Sequence, residues 1–245
     1  MRTLNMPIPN ITWLNAIDST NSEAARHYAT AADFEVWVAA FQEAGRGQQQ
    51  NRWESEAGMN LLFSIFLRPS DLQADKQFLL SQLVSLALCK TLEEEGVKAI
   101  IKWPNDIYVG KKKIAGILIE HHISGAYVLS SIAGVGLNVN QSAFYAAPNP
   151  TSLFLETNRI FDLSLLLQNI LNNVKKYYYP INPAKLQKEY LAHLLFYKEW
   201  ADYITSDNIL FKAQIVDVHT TGELVLMNEA GDSHYFAFKE ITLCQ

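Results

Sequence analysis

The sequence predicts an α+β protein, a large unit of sheet and helices followed by a small all-β appendage. Short runs rich in aromatic and branched residues, flanked by polar turns, are interleaved with one long stretch of helical periodicity. From Ile209 onward only short strand patterns remain. The 245 residues, 49% hydrophobic and 18% charged, suffice for one sizeable core and a smaller one, while 11 Gly and 8 Pro exclude collagen-like and disordered classes.

Each element follows from its local pattern. Residues 34–41 and 60–67 read as buried strands of a central sheet. In 76–96, Phe78, Leu79, Leu83, Leu86, Ala87 and Leu92 recur at three- and four-residue intervals before Gly96, which predicts a core-packing helix with a glycine stop. Strands are expected at 99–102, 107–109, 114–120 and 127–133, with Gly110-Lys111 as a hairpin turn. Pro148-Asn149-Pro150 marks a loop. Asp162 reads as the N-cap of a helix running to about Tyr179 and ended by Pro180, and a second helix is expected over 183–196. Strands at 211–218, 224–227 and 234–238 are separated by Thr221-Gly222 and Ala230-Gly231-Asp232. The division expected is 1–200 for the catalytic unit and 201–245 for the β appendage, which is too short for a large core of its own.

Composition narrows the function classes. Twenty Lys and Arg against 25 Asp and Glu give a net charge of −5, which argues against a strongly basic nucleic-acid binder and requires any positive site to be local. Cys89 and Cys244 lack the spacing of a zinc site or a disulfide framework and read as inert small hydrophobes. The first ten residues carry Asn and two Pro where a signal peptide needs an apolar run, and no stretch reaches the ~18 apolar residues of a membrane span. The expected compartment is the cytoplasm, with no membrane partner.

Four segments carry chemistry. Gln42-Glu43-Ala44-Gly45-Arg46-Gly47-Gln48-Gln49-Gln50-Asn51-Arg52-Trp53 joins two predicted strands. Its Gly-Arg-Gly core lets backbone amides approach an anion while a guanidinium offers a charge-assisted fork, although a polar surface loop would read the same by composition. It matches neither the P-loop nor the dinucleotide-binding fingerprint. Lys102-Trp103-Pro104-Asn105-Asp106 sets an amide and a carboxylate on a turn at a strand end. Of Lys111, Lys112 and Lys113 beyond it, the first two read as a solvated hairpin tip, whereas Lys113 abuts an apolar strand containing Gly116. Gly134-Val135-Gly136-Leu137-Asn138 reads as a glycine-rich strand end, and Asp18-Ser19-Thr20-Asn21-Ser22-Glu23 as a helix N-cap able to hold a small polar head group.

Taken together and in this order, these segments resemble biotin protein ligases, with the motifs covering about residues 12–140. The resemblance implies a mixed sheet with flanking helices like that of class II aminoacyl-tRNA synthetases, followed by an SH3-like β-barrel. It implies two steps: biotin carboxylate attacks the α-phosphate of MgATP to give biotinyl-5′-AMP, and a lysine of a biotin carboxyl carrier protein, most simply that of acetyl-CoA carboxylase, then takes the biotinyl group. Arg46, Lys113 and Asp106 are the implied catalytic residues. Biotin is assigned to Ser19, Thr20, Asn21, Gln42, Gly45, Arg46, Gly47, Gln48, Lys113, Gly116 and Gly134, and ATP to Arg46, Gln48, Trp53, Asn105, Lys113 and Asn138. Asp106 is expected to orient the incoming lysine or help position Mg²⁺, and no protein metal ligands are assigned.

Where many relatives carry further basic residues after Gly-Arg-Gly, this chain has Gln48-Gln49-Gln50-Asn51, so Gln48 offers the adenylate only neutral hydrogen bonds, roughly half as strong as charged ones. The motifs begin within twenty residues of Met1, which leaves no room for a DNA-binding helix-turn-helix and implies a ligase that does not bind DNA. The family includes monomers and homodimers. The rival readings are a lipoate protein ligase of the same fold and a non-catalytic biotin- or nucleotide-binding module; the Gly-Arg-Gly loop with Trp53 and the Lys-Trp-Pro-Asn-Asp segment favour biotin, and Arg46 with Lys113 favours catalysis.

Overall fold

A computed structural model describes residues 9–47 and 53–244. Strands β1 (Ile11–Ile17), β2 (Glu35–Gln42), β3 (Leu61–Leu67), β4 (Ile100–Lys102), β5 (Asp106–Val109), β6 (Lys112–Ser124) and β7 (Tyr127–Leu137) form one sheet in the order β1-β2-β3-β7-β6-β5-β4. The sheet is mixed, because β1 runs parallel to β2 while the other neighbours are antiparallel. Its helices are α1 (Thr20–Arg26), α2 (Phe78–Glu94), α3 (Leu153–Thr157), α4 (Leu163–Tyr178) and α5 (Pro183–His193). Strands β8 (Trp200–Thr205), β9 (Leu210–Val218), β10 (Leu224–Asn228), β11 (Ser233–Phe236) and β12 (Ile241–Leu243) make a second, antiparallel sheet ordered β11-β10-β9-β8-β12.

The two faces of the large sheet are unequal. One packs on α2, α4 and α5 around Phe63, Ile65, Leu83, Ile117 and Val135, and that core continues into Ala213, Ile215 and Leu226 of the second sheet. The other carries a much smaller cluster of Ala24, Ala31, Trp37, Phe66 and Ile132 beneath α1, which leaves most of this face available for a site. Helix starts follow their capping residues: Ser19, Ser152, Asp162 and Asn182 each accept a backbone N–H of the first turn, and Pro183 occupies the opening of α5.

Three expectations are corrected. Strand β7 continues through Gly134 and Gly136 to Leu137 instead of ending at 133, since β3 and β6 pair with it on both sides over that stretch. Helix α5 stops at His193, not 196, because the edge strand β4 recruits the next residues: Leu194 bridges Ile101, and the Leu195 amide donates to the Ile101 carbonyl at 2.8 Å. Strand β6 extends past Glu120 to Ser124, which places His121 and His122 inside it. Elements β1, α3, β8 and β12 have no counterpart among the predicted ones.

Candidate active site

The site face is laid out by register. Gly134 of β7 lies opposite Ser64 of β3 and Leu118 of β6, and Gly136 lies opposite Leu62 and Gly116, with Asp106 and Lys102 continuing the second row. Residues two apart on a strand share a face and stand about 7 Å apart. The two rows and Asn138 beyond them therefore form successive stations along one groove.

The first station is a buried network of neutral polar groups. Ser19 caps α1, accepting from the Ser22 amide at 3.1 Å. Gln42 Oε1 accepts from the Thr20 amide at 2.7 Å and lies 3.2 Å from Thr20 Oγ1. That inward bond fixes the amide orientation and leaves Gln42 Nε2 as a donor. Ser64 Oγ lies 2.7 Å from both Asn21 Oδ1 and Thr20 Oγ1. Because the amide oxygen can only accept, Ser64 donates to Asn21 and its own oxygen remains for the Thr20 hydroxyl. Asn21 Nδ2 donates to Glu120 Oε2 at 2.7 Å and to the Leu118 carbonyl at 3.3 Å. A Cβ on Gly134 would stand 2.1 Å from Asn21 Oδ1, so the glycine is what admits Asn21 to the sheet face.

The second station is Trp53. A Cβ on Gly136 would fall 2.5 Å from its indole Cε2 and one on Gly116 3.0 Å from its Cζ3, so the ring lies flat on a floor that only glycines leave open. Its backbone amide donates to the Gly45 carbonyl at 3.1 Å, and its Nε1 is buried without an acceptor among the described residues. The Lys113 ammonium sits 5.5 Å from the ring centroid and 2.6 Å from Asp106 Oδ1. Lys113 reaches this face because the β5–β6 register shifts between Ile107 and Tyr108, which puts Ile114 in as an extra residue on β6 and re-aims the lysine. Half-exposed Arg46 reaches back to Glu120 Oε2 at 3.2 Å, the same oxygen that Asn21 uses. Lys102 is held below the ordinary lysine value by burial, opposed by Asp106 and reinforced by Lys113.

At the third station Asn105 Nδ2 donates to the Ile117 carbonyl at 2.6 Å, and Asn138 Nδ2 to the Thr151 carbonyl at 2.9 Å, while Asn138 Oδ1 finds no partner among the described residues. Trp103 Nε1 donates to the Gly222 carbonyl at 2.9 Å, joining the Lys-Trp-Pro-Asn-Asp turn to the second sheet. All of these stations open into one cavity of about 530 Å³, whose far wall includes Tyr203, Ile215 and Leu224 of that sheet and Phe238 of the β11–β12 connection.

The cavity wall thus brings together Ser19, Thr20, Asn21, Gln42, Arg46, Gly47, Trp53, Asn105, Asp106, Lys113, Gly116, Gly134 and Asn138. Gly45 is buried beside the wall, Lys111 and Lys112 are solvent-exposed, and Gln48 lies outside the described residues. Sequence reasoning missed Ser64, Glu120, Glu54 and the second-sheet residues. Two signals were present: Ser64 is the only hydroxyl in an otherwise apolar strand, and Glu120 sits two and four residues beyond Leu118 and Gly116 on the same face of β6.

Among the described residues no three His, Cys, Asp or Glu side chains converge, so the site offers no protein cage for a cation. Asp106 and a nucleotide's own phosphates fit a magnesium ion carried in with that nucleotide, since Mg²⁺ keeps several waters and takes only one or two carboxylates. No helix of the described residues is long and apolar enough to cross a membrane.

Residues 13–138, just over half of the chain, match the sequence profile of the biotin/lipoate A/B protein ligase family. The bifunctional ligase/repressor BirA of Bacillus subtilis is 33% identical over 190 residues, 74% of this chain and 53% of that protein. The biotin–[acetyl-CoA-carboxylase] ligase of Mycobacterium tuberculosis is 32% identical over 141 residues, 55% of this chain and 51% of that one. The chain spans about half the length of these relatives. The biotin protein ligase of Aquifex aeolicus, solved in complex with biotin and ATP, superposes with a TM-score of 0.77 at 24% identity, covering 96% of this chain and 99% of that one, which shows a shared fold.

Proposed function

This chain belongs to the biotin/lipoate A/B protein ligase family, and from that premise we propose that it is an ATP-dependent biotin–[acetyl-CoA-carboxylase] ligase. The carrying observation is the largely buried polar network of Thr20, Asn21, Gln42 and Ser64, whose first three members line one cavity with the cations Arg46 and Lys113. A ureido ring offers both donors and an acceptor to such a pocket. The dithiolane of lipoate offers neither and would leave the Gln42 Nε2 donor unmatched, an effect that discriminates between substrates.

In this reading Ser19, Thr20, Asn21 and Gln42 hold the ureido head over Gly134, Gly47 lies beside the chain and carboxylate, and Gly116 seats the Trp53 ring that flanks them. Arg46 and Lys113 draw the carboxylate and the α-phosphate of MgATP together against their mutual repulsion. The carboxylate oxygen bonds to the α-phosphorus and pyrophosphate leaves; Trp53, Asn105 and Asn138 position the nucleotide. Then the amine of a carrier lysine attacks the carbonyl carbon of the mixed anhydride, AMP leaves, and the nitrogen gives up its proton. Asp106 orients that amine. The magnesium ion belongs to the nucleotide substrate. The acceptor is a biotin carboxyl carrier domain, the compartment is the cytoplasm, and the chain divides into a catalytic unit over 1–200 and an SH3-like barrel over 201–245.

Pyrophosphate exchange with MgATP and either biotin or lipoate, followed by avidin detection of transfer to a recombinant carrier domain, tests this. Exchange and ATP-dependent transfer are expected with biotin alone. Exchange with lipoate instead, or biotin binding without exchange, would overturn it.

A further inference from the structure

Directly after the indole platform, Glu54 turns its carboxylate into the backbone across the cavity. Its Oε1 accepts from the Tyr145 amide at 2.7 Å, and its Oε2 from the amides of Ala146 and Ala147 at 2.8 Å each. Three successive N–H groups converging on one anion form a nest, and here the chain fills it with its own side chain. The segment so held continues to the lysine of the site: the Lys113 amide donates to the Asn149 carbonyl at 2.8 Å, and the Thr151 amide donates to the Lys113 carbonyl at 2.9 Å. On the other side, the Trp53 amide is tied to Gly45, next to Arg46. Phe144, Ala146, Ala147, Pro148 and Pro150 of the held segment form cavity wall.

We propose that Glu54 is a positioning residue for the nucleotide. Its carboxylate closes a continuous path from Arg46 through Gly45, Trp53 and the 145–147 amides to the Lys113 backbone, setting the two cations and the indole at a fixed span. Without that anion the three amides have no partner among the described residues, and the wall segment is held at its two ends, by Gln141 Nε2 on the Ala143 carbonyl and by the Lys113 backbone on Asn149 and Thr151. The head-group pocket of Asn21 and Gln42 meets this path at one point, Glu120 Oε2, which Asn21 shares with Arg46; its other bonds run to α1, β2, β3 and β6. Burial alone would raise the Glu54 carboxyl, but the amide bonds outweigh it and hold the group below the usual carboxylate range, so the nest is filled by an anion at neutral pH.

The role rests on reading the cavity as an adenylating site, and two readouts keep that reading separate from the proposal. Hydrogen exchange of the 145–147 amides is measured on the ligand-free full chain, for wild type, Glu54→Gln and Glu54→Ala. KM for ATP and for biotin are measured by pyrophosphate exchange on the same proteins. In Glu54→Ala the amides should exchange at least tenfold faster and KM for ATP should rise about tenfold, with KM for biotin, which keeps its head-group contacts, rising severalfold less. Glu54→Gln, which keeps one carbonyl acceptor, should fall between. Unchanged amide protection would overturn the proposal. So would faster exchange with an unchanged KM for ATP, which makes Glu54 a structural staple only, or biotin and ATP constants rising in step. A wild-type chain that catalyses no exchange would overturn the ligase reading, while the amide measurement would still decide whether Glu54 holds the segment.

Discussion

Gly134→Ala adds a single methyl group at the point where the head-group pocket has least room. The new Cβ would stand 2.1 Å from Asn21 Oδ1, 2.9 Å from its Cγ and 3.2 Å from its Nδ2. The backbone cannot retreat, because Gly134 is paired with Ser64 on one side and Leu118 on the other. Asn21 must therefore move, although it is only 4% exposed and is held by Ser64, Leu118 and Glu120. Losing two to three net hydrogen bonds at about 1 kcal/mol each, plus overpacking strain of ~1–3 kcal/mol, gives a destabilisation of roughly 3–6 kcal/mol. For a chain of this size that is a drop in Tm of about 6–24 °C. Because the displaced side chain belongs to the proposed biotin head site, biotin affinity should fall by about a hundredfold or more. Thermal unfolding and titration calorimetry read the two effects. In an Asn21→Ala background the added methyl has free space, so the stability loss from Gly134→Ala should shrink by ~1–3 kcal/mol. A Gly134→Ala protein that melts and binds biotin like wild type, or an undiminished loss in the Asn21→Ala background, would refute the argument.

Three further outcomes are expected. Lys113→Ala should slow adenylate formation by about a hundredfold or more while biotin affinity changes only two- to threefold, since the ammonium acts on charge that develops in the transition state; equal losses in rate and affinity would assign it to ground-state binding. Glu120→Gln should slow adenylate release about two- to threefold, by removing the carboxylate that holds Arg46 while keeping an acceptor for Asn21, whereas Glu120→Ala should weaken biotin binding; stopped-flow release and calorimetry distinguish these, and identical behaviour of the two variants would count against the shared-oxygen arrangement. Burial holds the His121 imidazole below its ordinary value, so as pH falls below the unfolded value of about 6.5 the unfolded chain takes up a proton that the folded chain resists, and stability declines. Replacing His121 by Gln should flatten that part of the Tm profile between about pH 7 and pH 5, and an unaltered slope would exclude His121 as its source.

The elements legible in the sequence are those whose burial is uniform. Strand β3 is buried at every position and helix α2 at most, so a continuous apolar run and a three-to-four spacing were enough to place them. Strand β1 mixes half-buried and exposed positions and β8 adds the single buried Tyr203, with Asn15 in one and Asp202 in the other, and so they show no apolar run. Helix α3 spans five residues and β12 three, less than a period-based reading can resolve. The end of α5 is set by pairing with β4, a contact between residues about ninety apart that no local pattern encodes.

The site divides along the same line, and the division has a physical cause. Motif spacing identifies residues contributed by turns, such as Arg46 and Asn105, or set just beyond one, such as Lys113. It does not identify the groups those residues meet across strands, because register is a property of pairing. Two of the site's cations show what this conceals: Arg46 is paired with Glu120 and Lys113 with Asp106 before any substrate arrives, beside Lys102 and Lys239 in the same cavity wall. In a chain of net charge −5, an unpaired pair of cations in one cavity would attract any small anion. With carboxylates already in place, a ligand anion gains only the difference between its own bonds to Arg46 or Lys113 and the bonds it displaces. Inorganic phosphate gains little by that exchange. A ligand that also fills the polar pocket at Gly134 and covers the indole at Gly136 adds binding energy that no lone anion has. Selectivity therefore follows from joining the three stations on one molecule, with the paired carboxylates setting the threshold that a partial ligand fails to cross.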